Sequence, residues 1–104
     1  MILEVARINV KAGMTGEFES NVGKAVPLFL RARGCHGIEL QRSIERKNGY
    51  LLLVKWQTLE NHTVDFRGSE DFKQWRQLVG HCLEGTPAVE HTELAVDASA
   101  KGRV

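Results

Sequence analysis

Alternating apolar and polar positions at the start of the chain predict a strand over Ile2 to Lys11. One face of this strand is apolar apart from a single interruption by Glu4, and its other members are Ile2, Ala6, Ile8 and Val10. The opposite face begins apolar and ends polar, in the order Leu3, Val5, Arg7 and Asn9. The strand is therefore expected to turn one face to a core and to present a mixed face on the other side.

Helical spacing begins near Thr15, which is the predicted N-cap of a first helix. Its apolar residues recur every three or four positions and form one stripe: Phe18, Val22, Ala25, Val26 and Phe29. Pro27 lies within this segment and should kink the helix, and Gly23, four residues earlier, leaves room for the bend. Gly34 is a natural stop signal after the helix.

The next two strands are predicted over His36 to Arg46 and Tyr50 to Gln57, joined by the turn residues Lys47-Asn48-Gly49. The third strand is apolar on both faces, with Leu51 and Leu53 opposite the series Tyr50, Leu52, Val54 and Trp56. Two helices cover only one side of a four-stranded sheet, so the other side needs a different cover. A second copy of the chain is the simplest cover, and we expect a homodimer.

Two further helical segments and a last strand complete the pattern. Thr58 is the predicted cap of a short helix through about Phe66, and Ser69 caps a second helix that ends at Gly85-Thr-Pro87. A strand over Ala88 to Val96 follows. The order β-α-β-β-α-β predicts an α+β, ferredoxin-like domain over residues 2–96. Residues 97–104 are predicted to form a flexible tail.

Composition argues against several classes of function. The 104 residues fit one domain, and a formal net charge of +1 supplies no strong field for nucleic acid or an anionic membrane. The longest apolar run, Tyr50 to Val54, is too short to span a bilayer, and no signal peptide follows Met1. A cytoplasmic protein that binds neither nucleic acid nor membrane is the expectation.

Neither cysteine nor histidine spacing points to a metal site. Cys35 and Cys82 have no CxxC spacing, and the four histidines are dispersed: His36, His62, His81 and His91. Dinucleotide-binding, phosphate-binding, serine-hydrolase and zinc-protease motifs are all absent. No metal is therefore expected.

Several polar and aromatic residues are candidates for a small-molecule pocket. Arg7 and Asn9 extend the mixed face of the first strand, although a solvated strand end explains them equally well. Four other residues are candidates for the same pocket, although a role in packing, helix capping or the solvated surface would also explain them: Trp56, Trp75, His62 and Arg76. The residue types alone leave both interpretations open.

Three segments resemble the antibiotic biosynthesis monooxygenase domain family. They are Trp56 to His62, Ser69 to Phe72, and Pro87 to His91. The family has a Trp at the end of the third strand, a His a few residues into the next helix, and then a Ser-x-x-Phe step. The resemblance extends from Ile2 to Val96 and implies a ferredoxin-like dimer whose two sheets close into a barrel.

The resemblance assigns residues position by position. Trp56 matches the strand-end Trp of polyketide-oxidising members, and Arg76 falls where an active-site Arg stands in that branch. Leu52 replaces an Asn of the same branch. Against the heme-degrading branch Asn9 matches, but Phe66 replaces a Trp and Arg76 replaces the His ligand, so heme degradation is not expected.

The function implied by the resemblance is oxidation of a small quinol or polyphenolic substrate by O₂, without a metal or a cofactor. The catalytic residues it suggests are Arg76, Trp56 and Asn9, and the substrate contacts are Arg7, His62, Phe66 and Trp75. Arg76 or Arg7 would supply a cation for the phenolate. The alternative is a non-catalytic dimeric domain that binds a small aromatic molecule.

Overall fold

Four antiparallel strands form the sheet of the computed structural model, which describes residues 1–100. The strands lie side by side in the order β2-β3-β1-β4. Their bounds are Ile2–Asn9 for β1, Cys35–Arg42 for β2, Gly49–Trp56 for β3 and Ala88–Glu93 for β4. The ferredoxin-like α+β prediction is confirmed, with β1 and β3 as the central pair.

The helical elements pack against one face of this sheet. They are α1, Thr15–Leu30; a short π-helical segment, Asn61–Phe66; α2, Glu70–Val79; and a 3₁₀ turn, Gly80–Cys82. The even-numbered residues of the two central strands join these helices in a single apolar core, which includes Ile8, Leu52, Phe18, Phe29 and Trp75. We call this the helix face of the sheet and the opposite side the bare face.

Two predicted caps are confirmed, and together they shape the chain after β3. The Thr58 hydroxyl accepts a hydrogen bond from the Asn61 backbone N–H at 3.1 Å. The Asn61 side-chain oxygen accepts one from the Thr58 backbone N–H at the same distance. The Ser69 hydroxyl accepts the Phe72 amide at 3.1 Å at the start of α2. These caps define where the segment carrying His62 begins and where the next helix starts.

Several predicted boundaries are wrong, and three of them have a clear local cause. Thr15 is the first residue of α1, not its cap, and Met14 precedes it without a side-chain cap. Strand β2 ends at Arg42, since the Ser43 amide donates to the Gly49 carbonyl at 2.8 Å and starts the turn early. Strand β4 ends at Glu93 because its pairing with β1 stops at Ile2.

The predicted tail falls partly within the described chain. Residues 97–100 form neither helix nor strand, and residues 101–104 lie outside the described residues. Among residues 1–100, no helix combines the length and apolar character needed to cross a membrane.

The two faces of the sheet differ sharply in cover. On the helix face, Ala6, Ile8, Leu52 and Val54 are each at most 2% exposed. On the bare face, Leu3, Val5, Leu51 and Leu53 are all partly exposed within a single chain. The apolar bare face predicted from β3 is therefore present, and the helices leave it uncovered.

Candidate functional site

A cavity of about 510 Å³ lies on the helix face, between α2, the central strands and the segment that leads into β4. Its walls are largely apolar: Ala6, Ile8, Leu52, Phe72, Trp75, Val79, Leu83 and Val89. Four ionisable side chains also line it: Glu4, His62, Arg67 and Arg76. An apolar chamber with a few fixed polar groups is the usual form of a small-molecule site.

Glu4 is placed in this cavity by the register of the sheet. It pairs with Val54 on β3 and with His91 on β4, and it is only 5% exposed. Trp56 Nε1–H donates to Glu4 Oε1 at 3.0 Å. Burial raises the pKa of Glu4, whereas the Trp56 hydrogen bond and the charge of Arg67 act to lower it. The chain thus holds a carboxyl group in an apolar chamber.

His62 is brought over Glu4 by the π-helical segment. The Arg67 amide donates to the His62 carbonyl at 3.1 Å, five residues back, and this wider turn is often found at functional sites. The His62 ring stacks on Trp56 with 5.4 Å between ring centroids and 14° between planes. His62 Nε2 lies 3.3 Å from Glu4 Oε1, so the ring is fixed between an indole and a carboxyl group.

His91 extends this cluster to the edge strand. Its Nε2 lies 2.7 Å from His62 Nδ1, and its side chain is half-buried. Burial, the charge of Arg67 and the charge of His91 lower the pKa of His62 to about 4. Burial and Arg67 also lower the pKa of His91. His62 is accordingly neutral near pH 7.

Arg76 supplies a positive charge at the cavity wall. It lies on α2, and its Cζ sits 5.9 Å from the centroid of the Phe72 ring. Its guanidinium stays largely exposed although it lines the cavity. An anion bound in the cavity would therefore meet Arg76 at the rim and Arg67 near the Glu4 end.

The structure brings together only part of the predicted site. His62, Trp75 and Arg76 line the cavity. Trp56 does not line it, because its ring is fully buried behind His62. Phe66 likewise lies in the core, against Phe29 and Trp56.

Arg7 and Asn9 lie on the other side of the sheet from the cavity. Arg7 is exposed on the bare face, and Asn9 Oδ1 accepts a hydrogen bond from Arg46 Nη1 at 2.6 Å. Because odd-numbered residues of β1 point away from the helices, these two side chains cannot share a single-chain site with Arg76. A single chain therefore does not bring Asn9 together with Arg76.

Three residues in or next to the cavity were not singled out as site residues by the sequence: Glu4 and Arg67, which line it, and His91, which contacts His62. Glu4 carried a signal, since it alone interrupts an apolar series on a central strand. The histidines are dispersed in sequence, and the fold places two of them, His62 and His91, within hydrogen-bonding distance. Their separation of 29 positions in sequence gave no hint of this contact.

The cluster has the geometry of a series of side chains in contact and not that of a metal site. His62 directs one ring nitrogen to Glu4 and the other to His91, so the three groups do not converge on one point. Elsewhere in residues 1–100, the ligand atoms of Glu17, His81 and Cys82 lie within 4.8 Å of one another, with Cys82 buried in the core. The cavity groups fit proton abstraction beside a stabilised anion.

Comparison with known families gives a decisive match. The model of the antibiotic biosynthesis monooxygenase family matches residues 1–78. The chain belongs to this family. A Bordetella bronchiseptica protein provisionally assigned to the antibiotic biosynthesis monooxygenases has 50% identity and a TM-score of 0.90, over 91% of this chain and 97% of its own.

Two further relatives extend the comparison. The uncharacterised Bacillus subtilis protein YczJ is 37% identical over 91 residues, 88% of this chain and 96% of its own. The structure of SnoaB from Streptomyces nogalater, described as a cofactor-independent oxygenase, gives a TM-score of 0.78 at 19% identity, over 92% of this chain and 94% of its own. At that identity, the comparison with SnoaB shows a shared fold alone.

Proposed function

We propose that the protein is a cofactor-independent monooxygenase that oxidises a small, electron-rich phenol or quinol with O₂. The observation that carries this proposal is the buried Glu4 carboxyl, held by Trp56 and His62, in an apolar cavity of about 510 Å³ that also contains Arg76. A base and a cation that line one largely apolar cavity are what phenolate formation requires.

The first step is deprotonation of the bound phenol. The phenol O–H bond breaks, its proton forms a new O–H bond on Glu4, and the electron pair stays on the phenolate oxygen. Arg76 stabilises the resulting anion, while Phe72 and Trp75 pack against the ring. The elevated pKa of Glu4 suits this task because it makes the carboxylate a stronger base.

The second step is reaction of the activated ring with O₂. The phenolate passes one electron to O₂, and the two radicals combine to form a carbon–oxygen bond at the ring carbon. The resulting peroxide takes the proton back from Glu4 and loses water, which leaves a carbonyl group. The hydrogen of the ring carbon and the former phenolic hydrogen leave with one oxygen atom as water, and the other oxygen atom of O₂ becomes the new carbonyl. No outside reductant is needed.

The family comparison supports this chemistry without fixing the substrate. SnoaB is named a cofactor-independent oxygenase, and its fold matches this one over nearly the whole length of both chains. A protein with this fold can therefore catalyse oxygenation without a cofactor. The ionisable cluster and the apolar walls of this chain supply groups suited to the same class of reaction.

The active form is proposed to be a homodimer joined through the bare face. Leu3, Val5, Leu51 and Leu53 form an uncovered apolar patch on the central strands. Charged side chains of both signs surround it, Arg7 and Lys55 against Glu39 and Glu90, so two copies can meet without net repulsion. This arrangement would leave the cavity on the opposite face free for substrate.

Oxygen uptake tests the proposed reaction. Protein treated with a metal chelator is incubated with a panel of quinols and anthrones in an oxygen electrode. Heat-denatured protein is the control. The expected result is uptake proportional to protein concentration, with one O₂ consumed per carbonyl formed. Uptake that does not depend on protein concentration, or that stops after trace metal is removed, would contradict the proposal. Tight binding of these phenols without uptake would instead favour a non-catalytic binding domain.

A further inference from the structure

Glu4, His62 and His91 lie in series from the cavity to the edge of the sheet. Glu4 Oε1 lies 3.3 Å from His62 Nε2, and His62 Nδ1 lies 2.7 Å from His91 Nε2. The first two side chains are at most 7% exposed, whereas His91 is half-buried on β4. The proposed reaction uses Glu4 and leaves the short contact between the two histidines without a role.

The positions of the protons follow from the chemistry of the partners. The base of the proposed reaction must be ionised, and a carboxylate has only acceptor atoms, so the ring nitrogen that faces Glu4 is favourable only if it carries hydrogen. His62 is neutral, and a neutral imidazole carries one N–H, so a proton on Nε2 leaves Nδ1 as an acceptor. His91 Nε2 must then carry the hydrogen in the 2.7 Å contact.

We propose that His91 is a positioning residue that fixes the His62 proton on Nε2, so that an N–H group of His62 faces Glu4 at 3.3 Å and favours its carboxylate form together with the Trp56 donor. This inference rests on the proposed function, because it explains how the base of that reaction stays ionised in an apolar cavity. His91 does not line the cavity and acts through His62.

Without His91 the site has a competing arrangement. The His62 proton could move to Nδ1, which would turn a bare nitrogen toward Glu4 and favour the protonated carboxyl. The other charged or titratable groups around Glu4 are Arg67 after the π-helical segment, Cys35 at the start of β2 and Arg76 on α2. None of them contacts His62 Nδ1, where His91 is the hydrogen-bond partner among the described residues.

Two substitutions separate donation from packing. His91→Phe keeps a planar ring and removes the donor, and His91→Gln restores an N–H donor. The matched control is His36→Phe, because His36 is an exposed histidine bonded to Gln57 away from the cavity. In ¹⁵N NMR, wild-type His62 should be protonated at Nε2 with a bare Nδ1. His91→Phe should show a mixture, and His91→Gln should resemble the wild type.

The ionisation of Glu4 provides the second readout. Its ¹³C carboxyl titration should move upward by about one pH unit in His91→Phe, as for the weakening of one hydrogen bond to a charged group. The acidic limb of the kcat/KM profile should move by the same amount, which means about tenfold lower activity on that limb. His91→Gln should recover most of the loss, and His36→Phe should change neither curve.

The two readouts distinguish failure of this inference from failure of the proposed function. Wild-type His62 protonated at Nδ1, or a Glu4 titration unchanged by His91→Phe, would overturn the role of His91 even if the protein consumes O₂. If the tautomer and the titration are as predicted but the protein consumes no O₂, the role of His91 is supported and the oxygenase proposal is overturned. A His91→Phe protein that is not folded leaves the wild-type tautomer and the His91→Gln comparison to decide.

Discussion

Strand β1 gives its two faces opposite characters. On the helix face it buries a carboxyl group, Glu4, where an apolar residue is expected. On the bare face it leaves Leu3 and Val5 partly exposed, where polar residues are expected. Each departure costs stability in an isolated chain, and each is understood if that face has a separate task. The helix face would bind and activate a substrate, and the bare face would bind a second copy.

The helix face should be most sensitive to loss of the Glu4 charge. Glu4→Gln keeps an acceptor for Trp56 Nε1–H but cannot take a proton from a phenol. Turnover should fall by roughly 100-fold or more, the usual contribution of a general base. Thermal stability should stay the same or rise, because a buried charge is removed.

The matched control for this variant is Glu93→Gln. Glu93 is exposed at the end of β4, outside the cavity, and its loss should leave turnover unchanged. Equal activity of the Glu4→Gln and wild-type proteins would assign the base to another group.

Loss of the Arg76 guanidinium tests the anion-stabilising half of the same face. Arg76→Ala should lower turnover by roughly 30- to 1000-fold, equivalent to about 2–4 kcal/mol of transition-state stabilisation. Unfolding free energy should change by only about 0.5 kcal/mol, since the head group is exposed. Arg76→Lys should restore part of the activity, because an ammonium lacks the planar fork.

Lys73→Ala serves as the control for Arg76. Lys73 lies on the same helix, is exposed and pairs with Glu70 outside the cavity. Unchanged turnover and ligand affinity in a folded Arg76→Ala protein would show that Arg76 is an ordinary solvated charge.

The bare face should respond to charge in a different way. Leu51→Asp combined with Leu53→Asp places two carboxylates in the apolar patch, and should yield a monomer or an aggregate. Size-exclusion chromatography with light scattering at micromolar concentration measures this directly. Ile44→Asp is the control, because Ile44 is 94% exposed in the β2–β3 turn. A wild-type chain that is already monomeric would refute the proposed interface.

The pH dependence of stability gives a smaller effect that belongs to the helix face alone. His62 has its pKa lowered from 6.5 to about 4, so the unfolded chain binds more protons between these values. Its contribution to stability is complete above pH 6.5 and is lost as the pH falls through 4. The slope should reach at most about 1.4 kcal/mol per pH unit.

Glu4 contributes with the opposite sign, because burial raises its pKa above 4.5. Its stabilising effect is present at low pH and is lost as the pH rises through the folded-state value. The two groups act in opposite directions, so denaturant unfolding between pH 4 and pH 7.5 should show a steeper rise of stability with pH for Glu4→Gln than for the wild type. For His62→Gln the rise should be lost or reversed. The same slope in all three proteins would mean that neither group is ionically coupled to folding.

How far the sequence predicts this molecule depends on whether the signal is local. The two-sided apolar character of β3 and the caps at Thr58 and Ser69 are local, and they specified the order of elements. Predicted strand ends were wrong where a turn begins inside the predicted strand. In β2, for example, the Ser43 N–H donates to the Gly49 carbonyl, and the strand ends at Arg42.

The candidate site was harder to predict because it is assembled by pairing. Glu4 and His91 meet through the β1–β4 register, and His62 reaches them only because the π-helical segment folds over Trp56. Alternation along β1 did contain the information that Asn9 and Glu4 point to opposite faces. The family resemblance nevertheless placed Asn9 and Arg76 in one site, and in a single chain the sheet lies between them.

The central claim is that the helix face converts a bound phenol into its phenolate. Anaerobic absorption spectroscopy tests this without any oxidation, by titrating an anthrone or a quinol with wild-type protein and with Glu4→Gln at pH 7. The account predicts a stoichiometric phenolate band with the wild type and a bound, neutral phenol with Glu4→Gln. A phenol that stays neutral in the wild-type cavity, or a phenolate band of equal strength in both proteins, would contradict it.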